Sequence, residues 1–422
     1  MTSPAIGTTL AATATRAHSQ RTLFVLWLLV FASVVPWRQG SLYTGSIDPV
    51  VIGKAAVSVA ALVLVALVPR RYELRVGIRS IAFVIVISVV GVLGALRTPD
   101  LAASATLTVR LLLVAVTIIL IARRWPPMTV LATLLAASGT VAIVAGASGA
   151  TTFFSQGRLE GVIPPLHSNE LALLAALPLI ALIRMLAIGR GHGWHLLAAV
   201  ALGVVLLACD SRTALAALVV AIITLLLTAH HISTRASIAL IAAVPVCALL
   251  LTQTGVLSAL ITRNHPISQI GNLNSRTIAW NVVLATPWNE WARWWGTGYS
   301  TTQVAVTGQY WETQVLDSSW VSALAQVGVI GTVLLGLWVA LTMVSSLRRS
   351  TIRALALPIM IFVLPRSVLE SGLVDSSTFF VFFFTISVLV EPISRIALAP
   401  PRAPVAVGEL VSPGRIPEVS HA

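Results

Sequence analysis

Charged and polar side chains gather in five short segments that separate long apolar runs of the sequence. The arginines among them indicate phosphate binding, because a planar guanidinium presents its N–H groups in a fork that fits phosphate oxygens. Arg212 is the clearest example, because it lies in the very short connection "CDSRT". An unpaired arginine in such a place is energetically costly unless it binds an anionic group. The candidate catalytic and binding residues are Arg158, His167, Asn169, Arg212, Arg276, Asp317, Arg366 and Glu370.

Four of these segments also have a simpler structural interpretation, in which the polar groups cap a helix or pair with one another. In chain order these are capping by Ser168 or Asn169, an Asp210 to Arg212 pair that closes a turn, Asp317 as a helix N-terminal charge, and a pair between Arg366 and Glu370. Capping leaves Arg158 and His167 without an explanation. From the residues alone, the structural and the functional interpretations both stay open.

The composition places these segments in a membrane protein. Hydrophobic residues make up 57% of the 422 residues and charged residues only 10%, which fits no class of soluble protein. The net charge of +13 does not indicate nucleic acid as a partner, because the basic residues sit singly or in pairs between apolar runs. The expected partner of most of the surface is the lipid bilayer.

Apolar runs of roughly the length that a bilayer requires recur almost from end to end of the chain. They predict an all-α polytopic integral membrane protein with about twelve transmembrane helices. The runs lie at 21–36, 47–69, 78–96, 106–122, 127–148, 168–187, 194–209, 213–229, 234–255, 318–345, 352–370 and 376–396.

The distribution of arginine predicts how these helices are oriented. Connections on one side carry most of the arginines, so this side is expected to be cytoplasmic and to hold both termini. The predicted organisation is a cytoplasmic tail at 1–20, a transmembrane region at 21–397 and a disordered cytoplasmic tail at 398–422. The expected location is the plasma or inner membrane, as a multi-pass protein.

One predicted extracytoplasmic loop, at about 256–317, is far longer than the other connections. It is too aromatic for a disordered linker. Its segment "NLNSRTIAWNVVL", at 272–284, has the pattern of an amphipathic helix that lies along the membrane interface. The tryptophans of the loop fit an aromatic belt or, for one or two of them, a platform on which a sugar stacks. They are Trp280, Trp288, Trp291, Trp294, Trp295 and Trp311.

Five motifs in a fixed order connect the chain to a known family. They are "HSNELALL", "SRTALAAL", "RTIAW", "GTGYS" and "DSSWVSALAQVGVIG", and they cover about 150–345. In this order the motifs resemble the O-antigen ligase and polymerase superfamily of polytopic membrane glycosyltransferases, which also have many helices and one long outer loop.

The resemblance implies a reaction and roles for the candidate residues. The donor would be a glycan carried on undecaprenyl diphosphate, attacked on the extracytoplasmic face by a hydroxyl of an acceptor glycan or another acceptor, with inversion and without a metal or cofactor. Arg212 and Arg276 would bind the diphosphate and stabilise it as it leaves. The remaining pocket residues would bind substrate, and they are Arg158, His167, Asn169, Arg366 and Glu370.

The proposed proton acceptor lies where the chain departs from the family pattern. Ligases of the family carry a His-Asn pair in the segment where this chain has Asp317 and Ser318. A carboxylate can also accept the proton of a hydroxyl, which favours a polymerase, or a ligase for an acceptor other than the lipid A core. His265 is the alternative base.

A transporter or flippase of a lipid-linked glycan is the second functional hypothesis, since it would also need many helices and buried charges. Transporters often contain two corresponding halves with broken helices near the middle of the bilayer. The halves of this chain show no convincing repeat, and the charged residues fall at the ends of the predicted helices. This placement favours chemistry at the membrane surface over passage through it.

Overall fold

The computed structural model describes residues 5–38, 48–69, 76–228, 274–306, 312–348 and 350–391. Helices account for most of these ranges. They are α1 Ala5–Val34, α2 Pro49–Leu67, α3 Arg79–Ala95, α4 Leu101–Arg124, α5 Pro127–Ser148, α6 Ala150–Gln156, α7 Ser168–Ala187, α8 Gly193–Ala208, α9 Arg212–Thr228, α10 Asn274–Leu284, α11 Trp291–Trp295, α12 Ser319–Arg348, α13 Ser350–Leu369 and α14 Thr378–Val390.

The helices confirm that this is a mainly helical, membrane-embedded protein. Six of the described helices are long and apolar enough to cross a bilayer, and five shorter apolar helices accompany them. Each predicted run in the described ranges coincides with one of these helices, although α1 begins at Ala5, well before residue 21. The run at 234–255 and the tail at 398–422 lie outside the described residues. The count of twelve spans, the cytoplasmic termini and the outer position of the long loop stay predictions.

Burial separates central helices from peripheral ones. Every residue of α14, which has the sequence "TFFVFFFTISVLV", is buried, as expected for a helix that is apolar on all sides and packed within a bundle. By contrast, α2 exposes Ile52, Val63 and Leu67, which is the pattern of a helix with one face toward lipid. The α14 helix therefore lies in the core, and α2 lies at its edge.

Helix α12 is interrupted at Gly328, whose φ of 63° and ψ of −168° are not helical. At this break, backbone groups of the preceding loop form hydrogen bonds with α12. The N–H of Thr297 donates to the carbonyl of Ala325, and the N–H of Gly298 donates to that of Gln326, both at 2.9 Å. Broken helices are tolerated at membrane depth when other groups pair with the freed backbone. Gly328 thus divides α12 into a short first part and a longer second part, and the loop binds α12 next to this division.

The glycine pair of "GTGYS" makes this close packing possible. Gly296 and Gly298 have φ values of 77° and 96°, in the region that L side chains rarely adopt. A Cβ at Gly296 would overlap the backbone of Gln326, and a Cβ at Gly328 would overlap the carbonyl of Trp294. The motif therefore has a structural explanation in the contact between the loop and the α12 break.

The described part of the long loop packs against the start of α12. It contains α10, α11 and a two-stranded antiparallel hairpin of β1 Gln303–Ala305 and β2 Thr313–Val315, which the all-α prediction did not include. The register pairs Gln303 with Val315 and Ala305 with Thr313. These strands are only three residues long, so the alternation typical of strands is too short to be recognised in the sequence.

Candidate functional site

Arg276 joins two of the candidate carboxylates. Its Nε lies 3.4 Å from Oδ2 of Asp317, and one of its terminal nitrogens lies 3.6 Å from Oε1 of Glu370. Arg276 is positioned by α10, because Ala279 and Val283 on this helix pack against Leu316, next to Asp317. The sequence segments around 276, 317 and 370 thus meet at one end of the helices.

Asn169, at the start of α7, connects this pair to two further arginines. Its Nδ2 donates to Oε1 of Glu370 at 2.6 Å, and its Oδ1 accepts from Arg158 at 2.9 Å. Its backbone carbonyl accepts from Arg366 at 2.6 Å. Arg158 also donates through Nε to the carbonyl of Cys209, at 3.0 Å. We call this set the polar network: Arg158, Asn169, Arg276, Asp317, Arg366 and Glu370.

Backbone contacts fix the helix ends that carry the network. The N–H and the hydroxyl of Ser319 both donate to the carbonyl of Glu370, at 3.0 and 2.7 Å. The indole N–H of Trp320 donates to the hydroxyl of Ser367 at 3.0 Å. The start of α12 is therefore attached to the end of α13, which keeps Asp317 and Glu370 together.

The polar network holds three arginines and two carboxylates, and Glu170, next to Asn169, acts on Arg366 as a third carboxylate. Two nitrogens of Arg366, Nε and Nη1, are buried without a hydrogen-bond partner among the described residues. Buried donors are nearly always paired in native proteins, so such groups call for an explanation. The unused donors of Arg366 suit an anionic ligand.

The network is open to solvent on one side. The side chains of Arg276 and Asp317 are 22% and 35% exposed, whereas Arg366 is buried. Burial raises the pKa of the Asp317 carboxyl above its usual value, against the lowering effect of Arg276 and His167. Burial likewise raises the pKa of Glu370, against the effect of Arg366 and Arg276. The exposed pair of Arg276 and Asp317 is therefore the accessible part of the network.

Two candidate residues stay outside the network. Arg212 begins α9, and its Nε is buried without a hydrogen-bond partner in the described part of the chain. Across those same ranges no salt bridge joins Arg212 to Asp210, so the proposed turn-closing pair is not observed. His167 is exposed, with Nδ1 3.4 Å from Oε1 of Glu160. The alternative base, His265, lies outside the described residues.

A cavity of about 300 Å³ lies beside the polar network. Its walls include Glu170, Leu316 and Ser371, which directly neighbour Asn169, Asp317 and Glu370 in the chain. Two of its other polar residues, Lys54 on α2 and Arg110 on α4, come from elements that the sequence motifs do not cover. A third, Gln326 on α12, lies within the motif "DSSWVSALAQVGVIG". The one available signal was that charged residues such as Lys54 stand inside apolar runs, where they are rare and often functional.

The fold and the network define a mainly helical, membrane-embedded protein with an arginine-rich polar site at the ends of its helices. Comparison of the chain with protein-family models and with curated proteins finds no match. Within the described ranges, no group of three or more His, Cys, Asp and Glu side chains is placed to hold a metal ion. A functional assignment therefore depends on the chemistry of the network.

Proposed function

We propose that the protein is a membrane glycosyltransferase that polymerises or ligates a glycan from a polyprenyl diphosphate carrier on the extracytoplasmic face. The observation that carries the proposal is the polar network itself. Four of the segments with candidate residues, around 158–170, 276, 317 and 366–370, contribute to one continuous set of contacts. Helix capping or local pairing within each segment would not require these segments to meet.

The arginines supply the donors that a diphosphate needs. A guanidinium has five N–H donors, and Arg276 uses one side of its fork for Asp317 and one terminal nitrogen for Glu370. Arg366 brings buried donors without partners to the same place. Fixed donors of this kind stabilise the charge that grows on a diphosphate as it leaves, and they need no reorganisation during the reaction.

Asp317 is the proposed proton acceptor. The oxygen of an acceptor hydroxyl forms a bond to the anomeric carbon of the donor while its proton passes to the carboxylate. The bond from this carbon to the diphosphate oxygen breaks, and its electron pair stays on the diphosphate. Attack from the face opposite the leaving group inverts the configuration. The raised pKa of Asp317 makes it a stronger base than an ordinary aspartate.

Glu370 and Asn169 are positioning residues in this proposal. Glu370 accepts from Asn169 and pairs with Arg276, while Asn169 accepts from Arg158. Each of these side chains is therefore held by another before substrate arrives. Such preorganisation reduces the entropy that is lost when reacting groups are brought together.

The test uses the purified full-length protein in proteoliposomes with an oligosaccharide repeat unit on undecaprenyl diphosphate. We expect longer lipid-linked chains, or transfer of the glycan to a second hydroxyl acceptor, detected by mass spectrometry. Arg276→Gln should remove most of this turnover. Arg353→Gln, which changes an exposed arginine at the start of α13, is the matched control and should keep it.

Two results would overturn the proposal. One is that the donor is recovered unchanged with every hydroxyl acceptor that is supplied. The other is movement of the intact lipid-linked glycan across the bilayer without new glycosidic bonds, which would identify a flippase.

A further inference from the structure

The cavity beside the polar network has its own aromatic wall. Trp37, just after α1, lines it and is 40% exposed. The indole N–H donates to the carbonyl of Ala32 at 2.8 Å, and the ring packs on Gly53, where a Cβ would lie only 2.8 Å from it. These contacts fix the ring in one orientation, so it offers a rigid flat surface to whatever enters the cavity.

The charged groups around this cavity are mixed in sign, unlike those of the polar network. Cations and carboxyl groups are equal in number in its walls, which hold Arg38, Lys54, Arg110, Asp48, Glu170 and Asp375. A phosphate or another compact anion would face repulsion from the three carboxyl groups as well as attraction from the three cations. Hydroxyl groups suit such a lining, because each can accept a hydrogen bond from a cation and donate one to a carboxylate.

Lys54 is the strongest sign that a polar ligand enters. It is only 7% exposed, and among the described residues it has no hydrogen bond or salt bridge. An ammonium in such a partly dry position calls for solvation by water or by a ligand in the cavity. Gln326 adds a buried Oε1 without a hydrogen-bond partner in the cavity wall.

We propose that this cavity binds a sugar ring, with Trp37 as the stacking surface and with Lys54 and Asp375 as hydrogen-bonding partners of its hydroxyls. The C–H face of a pyranose is weakly positive and packs on the negative face of an indole. The volume is near the lower end of the range of about 300 to 1,000 Å³ for small-molecule sites, which suits a single small ligand unit.

We infer that the sugar ring in this cavity belongs to the acceptor glycan and not to the donor. This inference rests on the proposed function. Leu316 and Ser371 line the cavity and directly adjoin Asp317 and Glu370. A ring in the cavity would therefore present a hydroxyl toward the proposed base. The arginines of the network are not among the residues that line the cavity, and we place the diphosphate of the donor at those arginines.

The first experiment measures binding without any reaction. A panel of neutral methyl glycosides, with methyl glucuronide and inorganic phosphate as charged probes, is added to the full-length protein in detergent and followed by ligand-observed NMR. At least one neutral glycoside should bind. Trp37→Ala, Lys54→Met and Asp375→Asn should each weaken its binding by roughly tenfold. Trp194→Ala, which changes an exposed tryptophan on α8, and Arg276→Gln should not.

A second variant guards against loss of folding in the first set. Val50→Trp leaves all charged groups in place and fills the cavity, so it should also abolish glycoside binding while keeping the thermal unfolding midpoint. The sugar site is overturned if no neutral glycoside binds, if only glucuronide or phosphate binds, or if the cavity variants bind as well as the unchanged protein.

Kinetics then test the assignment to the acceptor. Trp37→Ala should raise the KM for the acceptor and leave the KM for the lipid-linked donor unchanged. A rise in the donor KM alone would overturn the assignment. If glycosides bind and the cavity variants lose them, yet no transfer occurs under any condition, the transferase proposal fails and the sugar site stands.

Discussion

Polar clusters lie at the two ends of α14. They are built from similar residues and differ in how deeply their carboxylates are buried. At its start, Thr378 donates to Glu170, which adjoins the polar network. At its end, Glu391 lies among Arg79, Ser80 and Ser387. The thirteen residues of α14 span about 20 Å, so the two clusters are well separated.

The cluster at the end of α14 is formed by Arg79, Ser80, Ser387 and Glu391, and we call it the Glu391 cluster; its carboxylate is buried, while Arg79 is partly exposed. Glu391 is 1% exposed and accepts from both the backbone N–H and the hydroxyl of Ser80, at the start of α3. Arg79 lies 3.9 Å from it. Ser387 in turn accepts from the indole N–H of Trp338 at 2.7 Å. This carboxylate stabilises the positive N-terminal end of α3.

The difference teaches how to recognise a site among buried charges. Both clusters contain arginine and glutamate, and each has an arginine nitrogen without a hydrogen-bond partner among the described residues. They differ in the exposure of the carboxylates, since the side chain of Asp317 is 35% exposed and that of Glu391 only 1%. Substitutions in the network are therefore expected to change turnover, and substitutions in the Glu391 cluster are expected to change stability.

Asp317→Asn should have the largest effect on turnover. Asparagine keeps the shape of the side chain but cannot accept the proton, so we expect a loss of about 10² to 10⁴-fold in kcat. Binding of the lipid-linked donor, measured by surface plasmon resonance, should be retained. Asp100→Asn, at the exposed start of α4, is the control and should be silent. Normal turnover in Asp317→Asn would exclude this residue as the base.

Arg276→Gln should reduce turnover by about 10² to 10³-fold, the usual effect of removing one donor that stabilises a developing charge. The loss should appear in kcat at saturating donor, because the charge on the diphosphate grows as it leaves. Arg353→Gln on α13 should stay within twofold of the unchanged protein. Equal effects of the two substitutions would show that net charge matters and the network does not.

The pH dependence of kcat/KM offers a smaller but more specific test. Burial raises the pKa of Asp317 above its ordinary 3.8, so activity should disappear on the acid side at a higher pH than for an exposed aspartate. Arg276 opposes this shift, so Arg276→Gln should move the acid limb to still higher pH. An acid limb that does not move in Arg276→Gln would contradict coupling between the two residues.

Glu391→Gln should have the smallest effect on turnover and a clear effect on stability. Replacing the buried carboxylate weakens its hydrogen bonds to Ser80, at a cost of about 1 to 3 kcal/mol. We expect a lower midpoint of thermal unfolding and unchanged turnover per folded molecule. If turnover fell tenfold in the folded fraction, the separation of the two clusters by function would be wrong.

Apart from α1, which begins at Ala5, most apolar helices in the described ranges are predicted from the sequence to within a few residues, because apolar length and flanking polar residues determine them locally. The run at 127–148 and α5 coincide, for example. The break at Gly328 is not predicted, since it depends on a loop that enters from another part of the chain. Single candidates such as Asn169 and Glu370 are also recognisable as unusual residues for their position.

What the sequence does not predict is which of these candidates meet. Asn169 and Glu370 are separated by 201 positions, and only the packing of α7, α12 and α13 brings them together. The sequence does not indicate Lys54 as a site residue, because no local motif surrounds it. Arg212 stays a prediction, since no salt bridge joins it to the network and its Nε has no hydrogen-bond partner among the described residues.

The hydrogen bond between Asn169 and Glu370 also has a consequence for how the protein is made. Asn169 is synthesised and inserted long before Glu370 leaves the ribosome, so the network cannot form during most of translation. A chain that stops before α13 would hold many helices in the bilayer without any assembled site. The polar network can therefore form only after α13 has been inserted.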